Sequence, residues 1–115
     1  MRAETNKAKV PADDLIAGLP GEALVRQGLA DLLAGETTVA AYLVTIARPR
    51  LIRAGLLDTR DPARFAEPEL DLYRLLRQEG GDAYSRYNSL LRELVSFENA
   101  LDHRLTRRAA SGGGP

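Results

Sequence analysis

The stretch Val39-Ala40-Ala41-Tyr42-Leu43-Val44-Thr45-Ile46-Ala47 decides the fold. It is apolar almost without interruption, and its Val, Tyr, Thr and Ile residues are at home in strands. A strand, however, needs another strand to pair with, and no other segment of the chain reads as one. Read as a helix, the stretch is apolar nearly all round, so it belongs in the middle of a domain with other helices packed about it. Thr37 or Thr38 can cap its first amides. Pro49 disfavours helix at Arg48, so the chain should kink there and restart. Pro49 to Ala54 then adds another turn or two, closed by Gly55.

The segments on either side keep the helical period. Upstream, a helix from about Pro20 to Ala34 carries Leu24/Val25, Gly28/Leu29 and Leu32/Leu33, each pair four residues after the last. This makes one stripe, and Gly28 within it points to close approach by another helix. Pro20 suits a first helical position, and Gly35 supplies a left-handed stop. Asp13-Asp14-Leu15-Ile16-Ala17 can add a short turn before it. Downstream, Leu56 to Glu67 reads as a connector in which Asp61-Pro62 starts a short helical turn through Phe65. Either a rigid elbow or a mobile lid fits that connector. A third helix from Pro68 carries Leu70, Leu72, Tyr73, Leu75 and Leu76 and stops near Gly80-Gly81. Asp82 then caps the longest helix, about Ala83 to Arg107. The expected fold is all-α, a small helical bundle of about four helices with a long C-terminal helix.

At 115 residues the chain fits one domain. Residues 1–10 read as a flexible N-terminus, 11–108 as a single helical domain and 109–115, ending in Ser-Gly-Gly-Gly-Pro, as a disordered tail. Sixteen basic residues balance sixteen acidic ones, so no global field draws the protein to nucleic acid or anionic membrane. Cysteine is absent, which removes disulfides, thiolate catalysis and thiolate metal sites. No run approaches the ~18 apolar residues that span a bilayer, and the start lacks the apolar core of a signal peptide. A cytoplasmic location is the expectation.

Chemistry-bearing residues are scattered. His103 is the sole histidine and lacks a nucleophile or a second ligand at helical spacing. A histidine near a helix C-terminus also gains simply from the dipole. Glu98 and Asp102 share a helix face and could hold a metal, but Arg104, Arg107 and Arg108 beside them favour ion pairing. No glycine-rich phosphate loop has its strand–turn–helix context. No catalytic residue, metal site or cofactor is therefore assigned.

Two clusters stand out. Arg48, Arg50 and Arg53 surround the kink after the buried helix and could grip an anion, or could simply complement that helix's C-terminal dipole. Tyr84-Ser85-Arg86-Tyr87 opens the long helix with residue types common at interfaces, although tyrosines also serve as core residues with hydroxyls reaching solvent. The long helix has a wide apolar face, and the chain lacks catalytic side chains. Together these features point to a protein-interaction module that binds another protein or a second copy of itself. Tyr84, Arg86, Tyr87, Leu91, Leu94, Leu101 and Leu105 would make the contact. The alternatives are an anion-binding protein or enzyme using Arg26, Arg48, Arg50, Arg53 and Arg86, and a weak nucleic-acid binder using the arginine clusters.

Overall fold

The computed structural model describes residues 15–59 and 64–113. The expected flexible start at 1–10, Asp13-Asp14, the Asp61-Pro62 turn and the last two residues of the expected tail lie outside them. Within the described residues there are five helices and no strand: α1 (Glu22–Leu33), α2 (Val39–Ile46), α3 (Arg48–Arg53), α4 (Pro68–Glu79) and α5 (Ala83–Gly113). None of them is long and apolar enough to cross a membrane.

The decisive stretch is helix α2, and its residues from Ala40 to Thr45 are all buried. It touches each of the other four helices, as an element apolar on every side must if it is to leave water. Thr38 begins it: the side-chain oxygen accepts from the Ala41 amide at 3.1 Å, while the hydroxyl donates to the Asp31 carboxylate at 2.7 Å. One residue therefore caps α2 and ties it to the end of α1. Inside the buried face, the Thr45 hydroxyl donates to the Ala41 carbonyl at 2.8 Å, which leaves no unpaired polar group there. Replacing Thr38 by Ala should cost about 0.5–2 kcal/mol in thermal or denaturant unfolding, and Thr38→Ser should restore most of it.

Helix α1 starts at Glu22, two residues later than the sequence suggests, because Gly21 just before it takes a left-handed conformation. Pro20 lies in the preceding turn. The Glu22 carboxylate accepts from the Gly18 amide at 2.9 Å and from Arg26 at 2.7 Å. The Gly18 amide, followed by Arg26, holds this carboxyl below the usual range. Gly35 ends the helix with the expected left-handed backbone. Along the stripe, Val25 and Gly28 are buried while Leu24, Leu29 and Leu32 pack half-buried against the core. Gly28 sits where α1 crosses α2: a β-carbon there would collide with the Ala40 carbonyl and lie 2.5 Å from Cγ1 of Val44.

The chain breaks at Ala47, and α3 restarts at Arg48 with Pro49 in its first turn, where a missing N–H costs nothing. After Gly55, the backbone turns so tightly that the amides of Leu56 and Leu57 both donate to the Leu51 carbonyl. The expected helical turn through Phe65 does not form at Arg64 and Phe65. Tertiary contacts claim these residues instead. Phe65 lies against Tyr42, with ring centroids 4.5 Å apart. Arg64 donates to the carbonyls of Gly35 and Glu36 and to the Thr37 hydroxyl, with its guanidinium over the Phe65 ring.

Helices α4 and α5 form a hairpin. Asp82 caps α5 by accepting from the Ser85 amide at 3.0 Å and from the Ser85 hydroxyl at 2.8 Å. Tyr73 and Tyr87 meet edge to face at 5.5 Å, and Arg86 pairs with Glu79 at 2.9 Å. Helix α5 runs through Arg107 to Gly113, into the segment expected to be a disordered tail. Ala109 and Ala110, the strongest helix formers, carry it onward. Its 31 residues span about 46 Å, most of the molecule's 53 Å length. At the other end of the chain Leu15 and Ile16 are helical, and Arg104 of α5 donates to the Leu15 and Ala17 carbonyls at 2.8 and 2.7 Å. The core is built from Ile16, Leu43, Leu51, Leu72, Leu76, Phe97 and Leu101 among others.

Candidate functional site

A groove of about 390 Å³ opens where the end of α1, the α2–α3 junction and the chain after Gly55 meet. Three local events build it. The α1 stripe supplies Leu29 and Leu32, whereas Leu33, which reads from the sequence as the last member of that stripe, turns away from the core and stands exposed on the lip. The turn at Gly55 folds Leu56 and Leu57 back to form the facing wall. The break at Ala47 brings Arg48 to the edge, joined there by Asp58 and Arg64. The remaining polar lining residue, Thr45, spends its hydroxyl on the Ala41 carbonyl.

Among the described residues the groove is thus a leucine-lined trough with two cations and one anion in its lining. Leu33 is 86% exposed, the most exposed large hydrophobic residue in the described structure. The side-chain acceptors of Arg64 are two carbonyls and a hydroxyl, all neutral, so hydrogen bonding fixes its position without cancelling its charge. The volume lies at the small end of the roughly 300–1,000 Å³ typical of ligand clefts, enough for a few side chains of a partner segment.

The arginines named from the sequence do not converge. Positions 48 and 50 are about 200° apart around a helix, so they face opposite ways. Arg48 lines the groove, whereas Arg50 reaches α5 and pairs with Asp102 at 2.9 Å. Arg53 is exposed at the end of α3. Arg26 pairs with Glu22 within α1, and Arg86 with Glu79 across the α4–α5 hairpin. The five-arginine anion pocket is not assembled.

Asp102 takes its cation from α3 rather than from the arginines that follow it in sequence, because α3 packs where it can reach across. Burial raises the Glu98 carboxyl above the usual range, Arg50 offsets part of that rise, and Asp102 adds to it. His103 is exposed, and no cluster among the described residues could hold a metal ion.

The contact face expected on α5 is largely consumed inside the molecule. Leu94 and Leu101 are buried in the chain's own core, which corrects their assignment to a free surface. Helices α2 and α4 cover that seam. Leu91, Leu105 and Tyr87 are half-buried against the same core. Tyr84 remains open at 66% exposure, accompanied by Val95 at 50%.

Several of the groove's residues are legible in the sequence in other roles, but their convergence on one site is not. Leu33 reads as part of the buried stripe, and Leu56-Leu57, an apolar pair whose presence in a connector is a weak signal, reads only as the start of that connector. Nothing local marked Arg64, since its partners lie 27 to 29 residues upstream. No protein-family model, curated protein or solved structure matches this chain.

Proposed function

We propose that the chain is a small helical protein-interaction module, and that its docking surface is the groove between α1 and residues 56–58 rather than the seam of α5. The exposed Leu33 on the lip of a leucine-lined trough carries this reading. Burying such a side chain releases roughly 1.5–3 kcal/mol, which an apolar segment seated in the trough would recover. The dimensions suit a helix or short extended segment that inserts a few side chains, a mode in which secondary structure on one partner fills a groove on the other.

The test begins with 14-residue helical peptides displayed on phage, their apolar positions drawn from Leu, Ile, Phe and Met, selected on the whole protein. Enriched peptides should bind the native chain, lose binding on Leu33→Asp and keep it on Tyr84→Ala. Both sites are exposed, so each variant should stay within about 0.5 kcal/mol of native stability. Peptides that depend on Tyr84 and ignore Leu33 would move the docking surface to α5. A selection that enriches nothing would remove the interaction reading itself.

A further inference from the structure

Resting on that reading, we infer that the partner segment is acidic: it sets Asp or Glu side chains beside its apolar ones, and Arg48 receives them at the edge of the leucine trough. Among the described residues that line the groove, two guanidinium groups, Arg48 and Arg64, stand against the single carboxylate of Asp58. Counted over those residues, the lining carries one net positive charge, in a protein whose overall formal charge is zero.

The two arginines contribute differently. Arg64 is held by the Gly35 and Glu36 carbonyls and the Thr37 hydroxyl, so it acts as a fixed source of positive potential at the edge. Arg48 sits half-buried at the α2–α3 break, and its planar guanidinium carries five N–H donors, the fork geometry that suits a carboxylate. Leucines on both walls exclude water from an occupied groove, which strengthens a charge-assisted hydrogen bond formed there. The same geometry disfavours a basic segment, because a lysine or arginine placed beside Arg48 and Arg64 would be desolvated against like charge.

Matched libraries test the inference. Three sets of 14-residue helices share the same apolar positions and differ only in whether the polar positions hold Glu, Gln or Lys. On the native chain the Glu set should dominate the selection. Converting the Glu residues of an enriched peptide to Gln should weaken binding about tenfold or more by fluorescence anisotropy. Raising the salt concentration should narrow that gap, and Arg48→Gln should close it. If Glu and Gln peptides bind equally well through Leu33, or if the Lys set prevails, the carboxylate inference is overturned while the interaction reading stands. If no set binds, both fail together. The Glu-to-Gln comparison is made on the unaltered protein, so it decides the matter even if Arg48→Gln were to unfold the chain.

Discussion

Gly28→Ala should lower the stability of this protein by about 1–3 kcal/mol, which for a domain of this size is a fall of roughly 5–20 °C in Tm. The sign is the informative part. In an ordinary helix interior, Gly→Ala stabilises by about 0.5–1 kcal/mol, because alanine loses less backbone freedom on folding. Here the added carbon has nowhere to go. It would strike the Ala40 carbonyl and crowd Val44, and both belong to the helix at the centre of the domain. Neither can swing aside as the end of a flexible side chain could, because one is backbone and the other is a buried β-branched residue. The two helices must separate along their whole crossing, and every half-buried leucine on α1 loses contact with them. Differential scanning calorimetry of Gly28→Ala beside Ala30→Gly would isolate the effect. Ala30 is exposed on the same helix, so its change reports propensity alone. A rise in Tm for Gly28→Ala would mean that α1 and α2 do not approach this closely.

That crossing also shows why the fold was legible and the site was not. A helix is specified by neighbours three and four residues apart, so the α1 stripe, the threonine cap on α2 and the stop at Gly35 could be read from short windows. Gly28 went further: a glycine on an apolar stripe implied close approach, although it did not say which helix approached. Failures came where tertiary contacts overrode local preference. Phe65 leaves helical geometry to pack against Tyr42, and Arg64 follows it to reach three acceptors in the loop between α1 and α2.

The seam of α5 failed for a different reason. Apolar periodicity records that Leu94 and Leu101 must be buried, not whether this chain or another one buries them. Charge pairing was uncertain in the same way. A carboxylate such as Asp102 advertises a need for a cation, but α3 supplies it only once the helices are packed. The groove depends on three breaks in regular structure, at Gly35, Ala47 and Gly55, and breaks are where residues far apart in sequence come together.

Phe97→Ala should be the most damaging single truncation in the core, costing about 3–5 kcal/mol. Phe97 is the largest fully buried side chain, so its truncation loses transfer energy and leaves a cavity behind. Its position makes collapse around the cavity difficult. The β-carbon of Phe97 lies against the turn at Gly21, where a β-carbon on the glycine would come within 3.4 Å, so α5 supports the entry to α1 at this point. Closing the void would pull that turn away from the Glu22 contacts that start the helix. Domains of this size hold only about 5–15 kcal/mol in total, so a large part of the margin disappears and the variant should unfold at markedly lower urea concentration. Phe97→Leu keeps most of the volume and should cost less than half as much. Phe97 does not line the groove, so Phe97→Leu should still bind any peptide selected through Leu33. Loss of that binding in a folded Phe97→Leu protein would show that the groove takes its shape from the far side of the core. An unfolding midpoint for Phe97→Ala close to the native one would mean that α5 contributes far less to the core than its buried face implies.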